Sequence, residues 1–181
     1  MDRNVGDVDL QGWDFEAAYT PVDGLTLYGS VSYIDSELQD DLILTATTTL
    51  RTKGKKLVET PEWTVGGRIQ YVFNGFTVGL QGKFVGDRFS TDMNDEIAES
   101  YTVFDADIRY DLTDLGYEDT YIQLNAINLF DENYLGNISS ATNAQNTDVS
   151  NTNVPNIRGP QTTRFSVGAP QTFQISVGLK F

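Results

Sequence analysis

The sequence predicts an all-β fold, an antiparallel up-and-down transmembrane β-barrel, of which this chain supplies about seven strands. Three observations predict it. Seven segments alternate apolar and polar residues with the period of a β-strand. Their apolar faces carry no charge, and short connections alternate with long ones. The first two features suit a wall between lipid and water, and the third is typical of outer-membrane barrels.

The first four predicted strands form two hairpins. Pro21-Val22-Asp23-Gly24 connects the first strand to the second, and Asn74-Gly75 connects the third to the fourth. Asn-Gly between two alternating segments is a strong signal for a type I′ hairpin turn. In the first strand, Trp13 and Phe15 lie on the apolar face and the acidic residues lie on the other. These four strands are residues 12–20, 25–35, 64–73 and 76–86.

The last three predicted strands are residues 103–112, 121–127 and 173–181. The final strand alternates without an exception and stops on Phe181. A closing strand of this kind is typical of bacterial outer-membrane barrels, so we interpret Phe181 as a carboxy-terminal insertion signal. Alternation alone also suits a soluble β-sandwich, in which a second sheet covers the apolar face.

The polar faces of the strands hold the candidate lumen-lining side chains. An Arg or Lys that faces lipid near the bilayer midplane costs roughly 2–4 kcal/mol, whereas a charge that faces the lumen is solvated. We therefore expect nine polar residues to face the lumen: Asp14, Glu16, Arg68, Lys83, Asp105, Asp107, Arg109, Gln123 and Asn125.

Three long segments separate the hairpins, namely residues 36–63, 87–100 and 131–172. We assign them to the extracellular side and the short turns to the periplasmic side. In this orientation the aromatic residues fall into two belts, as expected at the two membrane interfaces. The periplasmic belt is Tyr19, Tyr71, Phe73, Phe76, Tyr110 and Phe181, and the outer belt is Trp13, Tyr33, Trp63, Phe84 and Phe130.

The number of strands indicates a larger barrel. Seven antiparallel strands leave the first and last parallel, whereas bacterial single-chain barrels have even strand counts. We therefore expect at least one further strand upstream and interpret residues 1–181 as one partial domain, the carboxy-terminal portion of a larger barrel. No signal peptide is recognisable, which leads us to expect that the native amino terminus also lies upstream.

Composition excludes several functions. The chain has a net charge of −14 and contains neither cysteine nor histidine. A thiolate metal site, a disulfide framework and a Ser-His hydrolase are thereby excluded, and nucleic acid, which needs a basic surface, is disfavoured as a partner. The acidic segments 35–41 and 92–96 match no EF-hand spacing, so a solvated acidic surface is favoured over a calcium site.

Near the carboxy terminus the chain resembles the TonB-dependent outer-membrane receptors. Residues 125–134, Asn-Ala-Ile-Asn-Leu-Phe-Asp-Glu-Asn-Tyr, are similar to the penultimate-strand motif of that family. Residues 168–173, Gly-Ala-Pro-Gln-Thr-Phe, are similar to its entry into the last strand, except that Gln171 replaces the usual arginine. The motif residues, to which we assign a structural role, are Asn128, Leu129, Phe130, Asp131, Tyr134, Pro170 and Phe173.

The resemblance implies a barrel of about 22 strands in the bacterial outer membrane, plugged by an amino-terminal domain that this chain lacks. It implies active uptake of a scarce nutrient, which we take to be a ferric siderophore, energised through TonB, with no enzymatic activity and no cofactor. The implied partners are outer-membrane lipid and lipopolysaccharide, the barrel-assembly machinery, TonB by way of the plug, and a small-molecule chelate. We expect the loop from residue 135 to 172, rich in Asn, Ser and Thr, to be flexible and solvated.

Two alternatives remain open from the sequence. One is a small free-standing outer-membrane barrel with an anchoring or adhesion role, which needs an eighth strand and an upstream signal peptide. The other is a soluble β-sandwich binding module, which needs a second sheet over the apolar face.

Overall fold

The computed structural model describes residues 6–151 and 156–179 of the chain. Its regular structure is β, apart from one short 3-10 helix, Leu112–Leu115. Within the described residues, no helix has the length and apolar character of a membrane span. The strands are β1 (Val8–Val22), β2 (Leu25–Leu38), β3 (Leu42–Thr45), β4 (Thr48–Leu50), β5 (Trp63–Phe73), β6 (Phe76–Val85), β7 (Arg88–Phe89), β8 (Ile97–Ala98), β9 (Tyr101–Asp111), β10 (Tyr121–Ile127), β11 (Leu135–Ser139), β12 (Thr147–Asn151), β13 (Asn156–Arg158), β14 (Arg164–Val167) and β15 (Thr172–Gly178).

Seven strands form one antiparallel sheet, which we call the wall sheet. Its order is β1-β2-β5-β6-β9-β10-β15, so each wall strand pairs with the next wall strand along the chain. This up-and-down order confirms the predicted fold class. The sheet is not closed into a barrel, because among the described residues β1 and β15 each have one wall neighbour.

The seven wall strands coincide with the seven predicted segments, with differences at their ends. The first two strands are longer than predicted and pair from Val8 opposite Leu38 onwards. These extra residues lie beyond Trp13 and Tyr33, where charged residues interrupt the apolar alternation from which the shorter ends were predicted. At the second hairpin, Asn74 and Gly75 have φ angles of 45° and 77°, as a type I′ turn requires.

The apolar face of the wall sheet is exposed or half-exposed in every one of its strands, β2 being the most covered. Phe15 in β1 keeps 62% of its surface accessible and Ile175 in β15 keeps 72%. A β-sandwich would bury this face under a second sheet. Because no described part of the chain covers it, the sandwich alternative is wrong for this protein.

Aromatic residues on the apolar face cluster at the two ends of the strands. At one end the rings of Trp13, Tyr33 and Trp63 lie 4.8–6.3 Å apart. At the other end, Tyr71, Phe73, Phe76 and Tyr110 form a continuous stack across β5, β6 and β9. Each of these aromatic residues lies at the end of the strands at which its belt was predicted. Phe181, the expected insertion signal, lies outside the described residues.

The long connections contain β-structure of their own, which the sequence did not predict. β13, β12, β4 and β3 form a four-stranded sheet, while β11 pairs with β14 and β7 with β8. A small apolar cluster of Leu42, Leu50 and Val149 joins the first and last long connections. The expectation of a flexible, solvated loop between residues 135 and 172 is therefore wrong for its described part, because paired strands hold it. We call the described parts of the three long connections the outer-loop assembly.

Candidate functional site

All nine candidate lumen residues lie on the polar face of the wall sheet. The register decides this, since residues directly opposite in neighbouring strands project from the same side. Three rows of opposed residues show the arrangement: Glu16–Ser30–Gly66–Lys83, Tyr28–Arg68–Gln81–Asp105, and Gln70–Gly79–Asp107–Asn125. Asp14 stands opposite Ser32, while Arg109 stands opposite Gln123. That this polar face lines a lumen stays a prediction.

An ion pair crosses the middle of this face. Arg68 in β5 reaches Asp107 in β9, with Nη1 and Oδ1 2.8 Å apart, and so passes over the intervening strand β6. The residue beneath the pair is Gly79, where a Cβ atom would lie 2.3 Å from Arg68 Nη2 and 2.6 Å from Asp107 Oδ1. A glycine is therefore needed at this position for the two charges to meet. Both side chains are less than a third exposed, so the pair is partly shielded from water.

Hydrogen bonds and a second ion pair extend the polar network to both sides. Gln81 donates to Asp105 at 2.9 Å, and Gln123 donates to Asn125 at 2.7 Å. Arg109 pairs with Asp111 at 2.6 Å, and its guanidinium lies 3.8 Å from the ring centroid of Tyr121. Tyr28 donates its hydroxyl hydrogen to Glu16 at 2.8 Å.

The network does not include every candidate. Within the described part of the chain, no ion pair or side-chain hydrogen bond joins Asp14 or Lys83 to another side chain. Of the nine candidates, these two side chains therefore remain available to bind another part of the protein or water.

Asn128, from the recognised motif, lies where the wall sheet meets the outer-loop assembly. It is almost fully buried, and its φ of 51° is in the left-handed region that Asn tolerates better than most residues. Its side-chain amide donates to the carbonyls of Glu132 and Ala169, each at 2.9 Å, and its Oδ1 accepts from the Glu132 N–H at 2.8 Å. One side chain thus ties together the end of β10 and the approach to β15.

Asp131 and Gln171 hold the same junction from the other side. The Asp131 carboxylate accepts from the Gln171 N–H at 3.2 Å, and the Gln171 side chain donates to the Leu129 carbonyl at 2.7 Å. The Leu129 N–H donates to the carbonyl of Phe104 in β9 at 2.7 Å. Gln171, at the position where the resemblance led us to expect arginine, therefore binds backbone within the junction.

The remaining motif residues lie on both sides of the sheet. Tyr134 stacks on Tyr101 with 4.3 Å between ring centroids, and its ring occupies the space that a side chain at Gly168 would need. Phe130 is 71% exposed and packs edge-on against Phe104. Two motif residues complete the entry into the last strand: the Pro170 carbonyl accepts from Thr172, and Phe173 stands opposite Ala126.

Arg88 connects the second long connection to the third. Arg88 is buried, with 7% of its surface accessible. Its guanidinium donates to the carbonyls of Leu135 at 2.6 Å and Gly136 at 3.3 Å. The same guanidinium lies 5.5 Å from the ring centroid of Tyr101. This role could not be predicted from the sequence, because a lone arginine after a strand belongs to no recognisable pattern.

Asp95 is a second connection between those two segments. Its carboxylate accepts hydrogen bonds from Thr91 Oγ1 at 2.6 Å, from the Ala144 N–H at 2.8 Å and from the Gln145 N–H at 2.9 Å. Partial burial alone would raise the pKa of the Asp95 carboxyl, but these hydrogen bonds outweigh burial and lower the pKa below its ordinary value.

The interpretation of residues 92–96 as a solvated acidic surface was therefore wrong. Asp92 is buried and Asp95 is bound by its neighbours. Among the described residues, no group of three or more acidic side chains is arranged to hold a metal ion. The Asp95 carboxylate here binds two backbone amides, and the Glu96 carboxylate accepts from Ser90 Oγ at 2.6 Å.

Lys56 fixes the base of the first long connection. Its ammonium group bonds Asp35 and lies 2.8 Å from Glu62 Oε1. The hydrogen bonds to Asp35 and Glu62 raise the pKa of the Lys56 ammonium above its ordinary value. The backbone N–H of Lys56 also donates to Asn94 Oδ1 at 2.7 Å, so the first and second connections touch at this point.

Comparison with known proteins gives a consistent family. Residues 2–129 match the family model described as TonB dependent receptor-like, beta-barrel. The ferrichrome outer membrane transporter/phage receptor of Escherichia coli strain K12 is 28% identical over 135 residues, which are 72% of this chain and 17% of that protein. The ferrioxamine B receptor of Salmonella typhimurium strain SL1344 is 26% identical over 143 residues, 76% of this chain and 19% of that protein.

Solved structures show the same fold. The unliganded ferric citrate transporter FecA matches with a TM-score of 0.71 at 20% identity, over 96% of this chain and 24% of its own. The ferric yersiniabactin uptake receptor FyuA from Yersinia pestis matches with a TM-score of 0.69 at 16% identity, over 94% of this chain and 23% of its own. This chain therefore spans about a fifth of the length of the curated relatives it matches, from 17% to 19%.

Proposed function

We propose, since this chain belongs to the TonB-dependent receptor β-barrel family, that the full-length protein imports a ferric siderophore across the outer membrane with energy delivered through TonB. Family membership rests on a model match over residues 2–129, well over half of the chain. The chain is accordingly a β-barrel segment of the bacterial outer membrane, as sequence analysis predicted. The cargo, the energy source and the partners of the whole protein are our proposals.

The observation that carries the proposal is the two-sided character of the wall sheet. One face is apolar and exposed in six of the seven wall strands and half-exposed in β2, and the other face holds a network of charges that includes the Arg68–Asp107 pair. An exposed apolar face of this size is stable when lipid covers it, and charges are tolerated on the face turned toward a wet or protein-filled lumen. Asp14 and Lys83 are the side chains we propose to contact the plug or the passing ligand.

We propose further that residues 1–181 form the carboxy-terminal part of a larger barrel. The wall sheet has seven strands and two free edges among the described residues, and exposed edges of such length would promote aggregation unless further strands paired with them. The relatives are four to six times longer than the matched segment, as their covered shares of 17–24% indicate. Plug, TonB contact and barrel-assembly contacts belong to this larger protein.

Support for a ferric siderophore as the cargo comes from the names of the relatives. The ferrichrome transporter, the ferrioxamine B receptor and the FyuA receptor are all described by ferric chelates or siderophores. They are receptors and transporters, which favours a role without enzymatic chemistry. Lipid, lipopolysaccharide and a small chelate are the proposed contacts of the chain in the outer membrane.

The proposal is tested with the full-length protein in its native outer membrane. Cells that lack the gene, cells that lack tonB and wild-type cells are given ⁵⁵Fe bound to each of a panel of siderophores, and uptake is followed over time. We expect uptake of at least one chelate to be lost in both deletion strains and restored by the full-length gene. Uptake that is unchanged by the gene deletion for every chelate, or that does not need tonB, would contradict the proposal.

A further inference from the structure

A polar groove lies in the outer-loop assembly, away from the wall sheet. It has a volume of about 760 Å³, within the range of small-molecule sites. Its lining includes Asn137 and Ser139 of β11, Arg158 and Thr162 further along the third long connection, and Leu44 and Glu59 of the first long connection. We call it the loop groove.

Hydrogen bonds between distant segments hold the loop groove in shape. Glu59 Oε1 accepts from the Ser140 N–H at 3.1 Å, across 81 positions of sequence. Gln161 Oε1 accepts from Thr142 Oγ1 at 2.8 Å, and Arg158 Nε donates to the fully buried Asn143 at 3.1 Å. The walls are therefore formed before a ligand arrives, which spares the ligand the entropic cost of ordering them.

The groove also presents polar side chains that its own structure does not use. Asn137, Ser139 and Thr162 are exposed. Within the described residues, none of these three side chains makes a hydrogen bond or an ion pair. An amide and two hydroxyls thus remain available to a ligand as donors and acceptors.

The chemistry of the lining indicates the class of ligand. The described residues that line the groove include one base, Arg158, and one acid, Glu59, and no aromatic ring. A balanced pair gives no preference for a charged ligand, and a chain with a net charge of −14 repels anions at a distance. Without rings there is no stacking surface for an aromatic ligand.

We propose that the loop groove is a binding site for an uncharged ferric chelate whose periphery carries amide and carbonyl groups, and that it discriminates against anionic chelates. The inference rests on the proposed siderophore uptake and adds the class of chelate and the residues that meet it. Asn137, Ser139 and Thr162 form hydrogen bonds with the periphery of the chelate, while Glu59 and Gln161 hold the walls.

The test uses the purified full-length receptor and two probes, an uncharged ferric trihydroxamate complex and anionic ferric citrate. Equilibrium binding of each is measured for the wild type and for Asn137→Trp and Thr162→Trp, which fill the groove. The matched control is Ile157→Trp, next to Arg158 in β13, at a residue that is exposed and does not line the groove. Heat-modifiable mobility on gels verifies that each variant is folded.

We expect the wild type to bind the trihydroxamate at least tenfold more tightly than ferric citrate. Each groove variant should weaken trihydroxamate binding at least tenfold, and Ile157→Trp should change it less than twofold. Groove variants that bind like the wild type would overturn the site, and equal affinity for ferric citrate would overturn the ligand class. If the wild type transports a siderophore while these results fail, the proposed function stands without the groove; if it binds and transports none, both are overturned.

Should a tryptophan variant not assemble, a smaller change gives the same information. The chain contains no cysteine, so Asn137→Cys places a single fluorophore within this segment at the groove, and Ile157→Cys places one beside it. The trihydroxamate should alter the emission of the first label with the dissociation constant of the whole receptor and leave the second unchanged. Emission that is unchanged at both positions at saturation would overturn the site.

Discussion

The wall sheet and the outer-loop assembly follow opposite rules of burial. The wall sheet leaves large apolar side chains such as Ile69 exposed, while the outer-loop assembly buries Leu50 completely. Buried polar groups also concentrate in the loops, where Thr52, Thr91 and Asn143 are inaccessible. We attribute this difference to two solvents: we propose that lipid takes the place of a second protein layer over the wall sheet, whereas the loops bury polar groups that they mostly hydrogen-bond among themselves.

The largest expected effect comes from placing the same charge in both regions. Ile69→Arg on the apolar face should cost about 2–4 kcal/mol in the membrane-embedded receptor, because the cation faces lipid. Ile43→Arg is the matched change in the loops, since Ile43 is also exposed but lies in β3. It should change the free energy of unfolding by less than about 0.5 kcal/mol.

The measurement is the urea midpoint of the full-length receptor in lipid vesicles for the wild type and both variants. A large loss of stability for Ile69→Arg alone supports lipid contact on that face. Equal effects of the two substitutions would show that the exposed face of the wall sheet meets water, as the loops do.

An intermediate effect is expected where the two regions join. Asn128→Ala removes a buried side chain that bonds Glu132 twice and Ala169 once, which leaves backbone groups unsatisfied at about 1–3 kcal/mol. The matched control is Asn133→Ala, at an exposed neighbour in the same segment. Hydrogen exchange should accelerate in both the β10 end and the residues before β15 in the first variant only; exchange that changes in one segment alone would contradict a role in joining them.

The smallest expected effect is a pH dependence confined to the loops. The pKa of Asp95 is lowered in the folded state, so this carboxylate contributes stability above the unfolded value near pH 4, and the contribution is lost as the pH falls through the lower folded pKa. Acidification below about pH 4 should therefore release the Ala144 and Gln145 amides.

Hydrogen exchange, corrected for intrinsic rates, measures this release. Between pH 5 and pH 3, protection of the Ala144 and Gln145 amides should fall by more than protection of the amides in β5. The fall should be spread over about 1 pH unit, as expected for the titration of one carboxylate. Asp95→Asn should abolish the difference between the two pH values. Equal protection at both pH values in the wild type would show that the Asp95 carboxylate does not hold these amides.

The contrast between the regions also explains how much the sequence could predict. The wall strands follow a local rule, the period of two, so the positions of β5, β6 and β10 could be predicted nearly to the residue. The two-residue turn at Asn74-Gly75 is likewise a local signal. The family motif at Asn128 could be recognised from the sequence, but not its contacts with Glu132 and Ala169.

The loops could not be predicted in this way because their bonds join distant residues. Glu59 contacts Ser140, and Arg88 contacts Leu135, across 81 and 47 positions respectively. A single acid such as Asp95 looks the same in sequence whether it is solvated or bound to two backbone amides. Short strands such as β3 and β13 have too few residues for alternation to be distinguished from chance.

We propose that the apolar face of the wall sheet meets lipid and that its polar face does not. Nitroxide labels attached to single cysteines at Arg68, Ile69 and Gln70 of the full-length receptor in vesicles test it directly, with oxygen as the lipid-soluble and a nickel chelate as the water-soluble relaxation agent. We predict high oxygen accessibility at Ile69 and low oxygen accessibility at Arg68 and Gln70. Equal oxygen accessibility at the three positions, or high nickel accessibility at Ile69, would contradict the claim.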